Sequence, residues 1–195
     1  MRVLVLAAHP DDEVIGCGGT IAAHVEAGDE VGVLYFTQGR AGSVIANDAA
    51  ALLGFTVCGV VGYADQRLDM TALSHLADDV STRLLGVSRV YTHWREDVNQ
   101  DHVAVSRATD IACRHIHTVL YYESEGSRNF EPNWFQKIDF EVKNRALECY
   151  ASEMRPPPHP RSRRMLGFKA SVRGSQCGHN EAEAFIVGRH VHAHR

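Results

Sequence analysis

The most constraining feature of this 195-residue sequence is its first turn, where an apolar run stops abruptly at a cluster of acidic residues. Residues 3–8 are all apolar, and residues 9–13 read His-Pro-Asp-Asp-Glu. A short apolar run bounded by turn residues is typical of a buried strand in a parallel sheet. The carboxyl ends of such strands are where α/β proteins place their sites. We therefore expect an α/β fold with a functional site at the end of its first strand.

The acidic turn favours a bound metal ion. Three carboxylates within five residues repel one another unless a cation lies among them or some of them are neutral. Pro10 ends the strand, and a spacing of three residues allows His9 and Asp12 to reach one ion. A nitrogen ligand with a carboxylate oxygen suits Zn²⁺, and imidazole is also accepted by other divalent first-row metals. Asp11 would then lie beside the metal as a general base for water.

A second interpretation of the same turn needs no metal. Acidic side chains at the N-terminus of a helix are stabilised by the helix dipole, which would explain Asp12 and Glu13 but not His9. A dinucleotide-binding loop is disfavoured, because neither G-x-G-x-x-G nor Gly-Lys-Ser/Thr occurs here and the carboxylates would repel a phosphate. On local chemistry we favour the metal site over the helix terminus.

Residues 8–20 also carry a resemblance to a known family. Ala-His-Pro-Asp-Asp-Glu at 8–13, followed by Gly-Cys-Gly-Gly-Thr at 16–20, resembles the signature of the LmbE/PIG-L family of metal-dependent de-N-acetylases. Members of that family remove an acetyl group from an N-acetylated amino sugar or cleave a related amide. The resemblance spans nearly the whole chain, and it is dense at residues 3–20 and 91–104.

The second informative stretch, residues 92–104, lies between a predicted strand and a predicted helix. It resembles the second family motif, in which the last histidine of a Pro-Asp-His-like triplet binds the metal. The resemblance implies that His102 is the third ligand, beside His9 and Asp12. Two histidines and one carboxylate form a common catalytic zinc set. Asp101 would support the catalytic site by balancing charge or orienting a ligand.

Asn99 departs from the family pattern. Many members have a histidine three residues before the metal-binding histidine, whereas this chain has Asn99 there. An asparagine amide can hydrogen-bond an oxyanion, but it cannot deliver a proton at neutral pH. The acid role is left open among Asp11, His93 and a histidine of the carboxyl-terminal segment, in which histidines alternate at 190, 192 and 194.

Loops after other predicted strands supply candidate substrate-binding residues. Arg40 lies in the Gly-rich loop 37–43, and Asp65 lies in the loop 62–69. The Arg- and Glu-rich stretch that the family carries after the first of these loops is not evident here. Residues 154–164 contain four prolines and four arginines. This segment is either an exposed connector or a basic rim that attracts a phosphate or nucleotide group of the substrate.

Composition bounds the class of protein. A hydrophobic share of 45% and a charged share of 23% are ordinary for a soluble globular protein, and 195 residues fit one domain, 1–195. The formal net charge of −4 argues against nucleic-acid binding. The first apolar run is too short to span a membrane and has no signal-peptide cleavage pattern. Five scattered cysteines without C-x-x-C indicate reduced thiols and a cytoplasmic location.

Hydrophobic patterning predicts a Rossmann-like three-layer α/β/α sandwich with a mostly parallel sheet. The five principal strands begin at residues 3, 31, 57, 89 and 118. Helices are expected at 20–27, 45–54, 72–85, 103–115, 141–150 and 165–172, and further short strands at 137–139 and 186–187.

The function implied by the resemblance is a Zn²⁺-dependent hydrolase with one metal ion per chain. Its substrate would be a small-molecule N-acetyl amino sugar or glycoconjugate, and the chain would associate into a homo-oligomer. Asp11 would accept the proton of the attacking water, with Asn99 or His93 near the oxyanion. The alternatives are an amidase acting on a thiol–sugar conjugate, a metal-binding protein without catalysis, and a nucleotide-binding domain.

Overall fold

A computed structural model of the chain describes residues 1–39 and 42–191. Its strands are β1 (Arg2–Ala7), β2 (Glu30–Thr37), β3 (Thr56–Tyr63), β4 (Arg89–His93), β5 (Thr118–Tyr122), β6 (Trp134–Lys137) and β7 (Ala182–His190). Its helices are α1 (Asp12–Glu26), α2 (Gly42–Leu53), α3 (Leu73–Ser81), α4 (Gln100–Ala112), α5 (Phe140–Cys149) and α6 (Arg163–Cys177), with a 3-10 turn at Leu68–Met70.

The strands form one sheet in the order β3-β2-β1-β4-β5-β7-β6. The first five strands of this order are parallel, whereas β7 pairs antiparallel with β5 and with β6. Strand order reverses between β1 and β4, because the chain moves from β1 to β2 on one side and later returns to pair β4 on the other. Such a switch point leaves a crevice at the carboxyl ends of the two strands.

The two faces of the sheet support separate hydrophobic layers. Val3, Val5 and Ala7 of β1 pack with side chains of α1, α2, α5 and α6. The alternating residues Leu4 and Leu6 pack on the other face with α3 and α4. This period of two residues is what a strand covered on both faces requires. The predicted three-layer α/β/α sandwich with a mostly parallel sheet is confirmed.

The predicted helix at 20–27 is wrong at its start, because α1 already begins at Asp12. The acidic residues of the first turn therefore lie at a helix N-terminus as well as at the end of β1. The glycines at 16, 18 and 19 have low helix propensity, which is why the sequence-based prediction placed the start of this helix too late. The helix also carries a break, since Cys17 has φ −148° and ψ 26° inside it.

Two buried side chains of opposite charge stabilise this break. The Lys143 ammonium donates to the backbone oxygen of Ile15 at 2.7 Å and to Glu183 Oε1 at 2.6 Å. The Glu183 carboxylate accepts from the backbone nitrogens of Gly19 and Thr20, at 3.0 and 2.7 Å. A helix end leaves backbone carbonyls or nitrogens without a partner inside the helix. Here Lys143 pairs with such a carbonyl in the first half of α1, and Glu183 pairs with such nitrogens at the start of the second half.

Other predicted boundaries shift by a few residues. Helix α4 begins at residue 100 instead of 103, α3 ends at 81 instead of 85, and α6 continues to 177 instead of 172. The short strand expected at 137–139 lies earlier, at β6, and the strand expected at 186–187 is the longer β7. Among the described residues, no helix combines the length and apolarity that crossing a bilayer requires.

Candidate metal centre

The candidate site occupies the crevice between the carboxyl ends of β1 and β4. The end of β1 supplies His9 and the start of α1 supplies Asp12, while His102 lies in the first turn of α4. Because β1 and β4 are neighbours in a parallel pair, residues that follow them in the chain meet at one edge of the sheet. The hydrogen bond from the backbone nitrogen of Ala8 to His93 Nε2, 3.0 Å long, joins the two strand ends directly.

The three predicted metal ligands form one compact group. One potential ligand atom from each of His9, Asp12 and His102 lies within 4.8 Å of the others. His9 Nδ1 is 3.1 Å from Asp12 Oδ2, and His102 Nε2 is 3.3 Å from Asp12 Oδ1. Ligand bonds of about 2.1 Å around a tetrahedral zinc ion place neighbouring ligand atoms roughly 3.4 Å apart. The donor set and its spacing therefore fit a divalent cation.

Each of the two histidines carries a buried carboxylate behind its other ring nitrogen. His9 Nε2 lies 3.1 Å from Asp101 Oδ2, and His102 Nδ1 lies 3.2 Å from Asp97 Oδ2. A carboxylate behind a ligating imidazole fixes its tautomer and orientation and increases its basicity. Asp101 thus lies where the sequence predicted a supporting residue, and its two oxygens also accept from the backbone nitrogens of Gln66 and Leu68.

The charge distribution is that of a cation site. Burial opposes a charge on His9, yet its contacts with Asp101 and Asp12 raise its pKa to about 11. Burial likewise opposes a charge on His102, while Asp12 and Asp97 raise its pKa to about 10. The pKa of Asp12 is held well below its usual range by His102, despite complete burial. These carboxylates create a field that favours positive charge at the centre of the group.

Asp11 lies beside this group in a strained backbone conformation. Its φ of 125° is rare for a residue with a side chain, and such strain costs about 1–3 kcal/mol. Its backbone nitrogen donates to Glu13 Oε2 at 3.0 Å, and Tyr150 donates to the other oxygen of Glu13 at 2.6 Å. Glu13 is fully buried, and burial raises its pKa to about 7 despite these hydrogen bonds. Glu13 and Tyr150 thus support the turn that carries Asp11.

Asp11 lines a cavity beside this group, and one of its buried carboxylate oxygens has no hydrogen-bond partner among the described residues. Its other oxygen pairs with the guanidinium of Arg161. Burial raises the pKa of Asp11 well above its usual range, the charge of Asp12 adds to this, and Arg161 offsets part of it. The cavity encloses about 160 Å³, and its lining comprises His9, Pro10, Asp11, Asp12, Gly39, Asp65, Gln66, Asn99, His102, Glu125, Glu153, Arg155 and Arg161.

Asn99 lines this cavity and also caps α4. Its Oδ1 accepts from the backbone nitrogen of Asp101 at 2.9 Å, which is the role of an N-cap side chain. Its backbone nitrogen donates to Asp97 Oδ1 at 2.8 Å. The side-chain oxygen is therefore engaged in the helix cap, and the amide group left for a substrate is the NH₂ donor.

The structure gives His93 a position behind the site and not in the cavity. Its side chain is fully buried, stacks on the His102 ring with centroids 3.9 Å apart, and accepts the hydrogen bond from Ala8 through Nε2. Burial holds the pKa of His93 well below its usual range, so the ring is neutral. His93 thus packs against His102 instead of lining the cavity, and its contact with an oxyanion or leaving group stays a prediction.

The remaining candidates divide between the rim and the far edge of the sheet. Asp65 lines the cavity with Oδ1 3.0 Å from His9 Nε2. His190 lies beside Thr118 at the amino end of β5, whereas the cavity lies at the carboxyl ends of the parallel strands. Arg40 and the histidines at 192 and 194 lie outside the described residues. Sequence reasoning did not single out Arg161, although the basic rim interpretation of residues 154–164 contained it.

Comparison with known proteins identifies the family. Residues 4–113, more than half of the chain, match the PIG-L family model, described as GlcNAc-PI de-N-acetylase. The chain belongs to this family. The match covers both stretches that form the candidate centre of this PIG-L protein, since it runs from β1 through α4.

Two relatives and one solved structure illustrate the similarity. The uncharacterized deacetylase YaiS of Escherichia coli is 30% identical, over 77% of this chain and 90% of that protein. A 1D-myo-inositol 2-acetamido-2-deoxy-alpha-D-glucopyranoside deacetylase of Rhodococcus opacus is 34% identical over 64% of this chain, which spans 47% of that longer protein. The conserved protein TT1542 from Thermus thermophilus has a TM-score of 0.83 and 25% identity, over 98% of this chain and 96% of that one.

Proposed function

We propose that this PIG-L protein is a metal-dependent hydrolase that removes the acetyl group from an N-acetylated amino sugar or glycoconjugate, with Zn²⁺ as the metal. The observation that carries the proposal is the cavity in which His9, Asp12 and His102 converge beside the partly unpaired carboxylate of Asp11. Family membership and the named substrate of the Rhodococcus relative, an acetamido sugar, support the choice of reaction.

The metal would be held by His9, Asp12 and His102, with Asp101 and Asp97 fixing the two rings. When bound, a divalent cation supplies Lewis-acid chemistry, which polarises an acyl carbonyl and makes water more acidic. Nitrogen ligands from two imidazoles with one carboxylate oxygen favour zinc over Mg²⁺ or Ca²⁺, which prefer oxygen ligands alone.

Asp11 would move the protons. Asp11 lines the cavity, and its unpaired oxygen would accept a proton from the attacking water. The same carboxyl group can then donate that proton to the nitrogen of the departing amine. Among the described residues, neither His93 nor His190 lines the cavity, so Asp11 is the proposed source of the acid that Asn99 cannot provide.

Polar rim residues would bind the sugar. The Asn99 amide can donate to the acyl oxygen, and Asp65 is proposed to contact substrate hydroxyls. Arg40, which lies outside the described residues, stays a sequence-based candidate for the same role. All but one of the residues that line the cavity are polar, charged or glycine. A hydroxyl-rich ligand finds hydrogen-bond partners in such a cavity, whereas an extended acyl chain would find little apolar surface.

Two substitutions test the assigned roles separately. Asp11→Asn should retain zinc within about threefold of the wild-type affinity while kcat falls by about 10²–10⁴, since a positioned base is worth that much. His102→Ala should lose zinc. Metal content by mass spectrometry and deacetylation by acetate release are the measurements. Asp78→Asn, an exposed position on α3, serves as a control for the loss of a carboxylate.

The substrate class is tested with a panel of N-acetyl sugars, including an acetamido-glucosyl inositol and a thiol–sugar amide. Free amine and acetate should appear in equal amounts with the zinc-loaded protein. Wild-type turnover by Asp11→Asn would contradict the role of the base. A zinc-loaded wild type that is inert toward the whole panel would contradict the hydrolase assignment and favour a metal-binding protein without catalysis.

A further inference from the structure

Arg161 enters the cavity from the segment between α5 and α6, far along the chain from both family motifs. Its guanidinium pairs with the Asp11 carboxylate, and its Nε lies 3.0 Å from Glu125 Oε1. The Arg161 side chain is only 24% exposed. A largely buried guanidinium that contacts the proposed base can either block that base or take part in its chemistry.

The backbone around Arg161 is held firmly. The Arg161 nitrogen donates to His159 Nδ1 at 3.1 Å, and the Ser162 nitrogen donates to the His159 oxygen at 2.9 Å. Ser162 itself is buried and caps α6. Prolines at 156, 157, 158 and 160 further restrict the segment. Such a preorganised donor costs little reorganisation when charge develops nearby.

The charges in the cavity indicate which of the two roles applies. When Asp11 accepts a proton from water, it loses its charge, and the acyl oxygen of the substrate gains one. A guanidinium in contact with Asp11 can follow the negative charge from the carboxylate to the acyl oxygen without becoming unpaired. Arginine stays protonated throughout, so it can stabilise an oxyanion but cannot compete with Asp11 as the proton donor.

Resting on the proposed deacetylase function, we propose that Arg161 is a catalytic residue that binds the acyl oxygen of the substrate and stabilises its negative charge in the transition state. Asn99 lines the same cavity with its NH₂ donor, and the two residues together form the donor set for that oxygen. Glu125 holds the guanidinium in place from the other side.

The step balances as an amide hydrolysis. The water oxygen bonds to the acyl carbon, the π electron pair of the carbonyl moves to the acyl oxygen beside Arg161, and the water proton moves to Asp11. The C–N bond then breaks, the electron pair returns to re-form the carbonyl, and the proton on Asp11 moves to the amine nitrogen. Acetic acid and the amine are the products, which become acetate and an ammonium group once the second water proton passes from the acid to the amine, and Arg161 pairs with Asp11 again.

The test compares Arg161→Gln with Arg163→Gln. Arg163 is two residues away at the start of α6, where it pairs with Glu148 on the surface and does not line the cavity. Arg161→Gln should lower kcat by about 10²–10³, as removal of one oxyanion donor does, with KM changed less than about threefold. Arg163→Gln should match the wild type in both parameters. Zinc content should be unchanged in both variants, and both should be folded at the assay temperature.

Guanidinium rescue and a lysine variant test the role of Arg161 independently of Arg161→Gln. Guanidinium ion added to Arg161→Ala should raise the kcat of that variant by at least about tenfold. If Arg161→Gln does not fold, Arg161→Lys replaces it, because lysine keeps the positive charge but lacks the planar guanidinium. The kcat of Arg161→Lys should fall between those of the wild type and Arg161→Ala. A kcat at or above the wild-type value in Arg161→Gln would overturn the proposal and make Arg161 a blocking residue. Failure of guanidinium rescue would also overturn it.

Acetate binding separates this proposal from the proposed function. Calorimetric titration of acetate into the zinc-loaded wild type and Arg161→Gln should show about tenfold weaker binding in the variant, a difference of about 1.4 kcal/mol. A wild type that binds acetate through Arg161 but hydrolyses no N-acetyl sugar would contradict the deacetylase assignment alone. Equal acetate affinity in the two proteins would overturn the role of Arg161 even in an active enzyme.

Discussion

At the scale of single residues, each candidate ligand histidine presents one nitrogen to Asp12 and the other to a second carboxylate. Asp101 lies behind His9, and Asp97 lies behind His102. Metal binding requires neutral imidazoles, so a cation entering this site displaces protons that the carboxylates otherwise retain. The supporting carboxylates therefore serve both to orient the rings and to set how strongly protons compete with the metal.

A residue remote from the cavity offers a test of pH dependence. His24 donates through Nδ1 to Asp29 at 2.6 Å and accepts from the Tyr91 hydroxyl through Nε2 at 2.9 Å, an arrangement that uses the neutral ring. Burial lowers the pKa of His24, although Asp29 acts in the opposite direction. The unfolded chain thus binds this proton more readily, and acid favours unfolding.

We predict that His24→Gln loses less stability than the wild type as the pH falls from about 7 to about 5, since the unfolded pKa of histidine is about 6.5. The stabilising contribution of neutral His24 is complete above that pH and declines below it. Urea unfolding at a series of pH values measures the difference. His115→Gln, at an exposed position, should follow the wild-type curve. Parallel curves for His24→Gln and the wild type would contradict the prediction.

Single-residue patterns predicted the candidate ligands, which the structure brings together, but not the residues that support them. The spacing of His9 and Asp12 lies within one turn, and the family motif supplied His102. Glu13 supports Asp11 from two residues away, whereas Tyr150 and Arg161 reach this turn from more than a hundred residues along the chain. A lone tyrosine or arginine in such a segment has no periodic or local signal, because its role arises only from tertiary packing.

At the scale of elements, α1 behaves as two short helices joined at Cys17. Local propensity disfavours a helix through residues 16–19, and the buried Lys143–Glu183 pair makes it stable there. The strands, by contrast, were predictable from their apolar runs, since both faces of a parallel sheet are covered. The helix start was missed because its stability comes from residues on α5 and β7.

The Lys143–Glu183 pair gives a prediction for this element. Lys143→Met should destabilise the protein by about 3–5 kcal/mol, because it leaves the Glu183 carboxylate buried without its counter-charge. Adding Glu183→Gln should restore at least about 1 kcal/mol, since the amide oxygen still caps α1 without a charge. Urea unfolding measures both variants. Lys137→Met, at an exposed position on β6, is the control, and an equal effect there would contradict the argument.

At the scale of the whole molecule, the fold brings residues 9–12 and residue 102 together through the pairing of β1 with β4. Patterning predicted the five parallel strands that achieve this. The antiparallel pairing of β7 between β5 and β6 was not predictable, because short strands with mixed burial carry no signal of direction. Self-association, implied by the family resemblance, stays a prediction.

Because the ligands meet only in the folded chain, metal binding should stabilise the whole molecule. Zinc at about one hundred times its dissociation constant should add about 2.7 kcal/mol to the free energy of unfolding. For a chain of this size, that corresponds to a rise in melting temperature of roughly 5–10 °C. Thermal unfolding of chelator-stripped protein with and without zinc measures the shift. His102→Ala should show none, and an equal shift in that variant would place the metal elsewhere.

The hydrogen bonds that Glu183 of β7 accepts from α1 have a consequence for biosynthesis. During translation, the turn that carries the ligand Asp12 leaves the ribosome long before residue 183 is made. Until β7 is in place, the second half of α1 lacks its cap, and no side chain fixes the geometry of the glycine-rich break in α1. We expect a nascent chain arrested ahead of β7 to retain the whole ligand set and yet capture zinc poorly, so that maturation of the centre waits for the final strand.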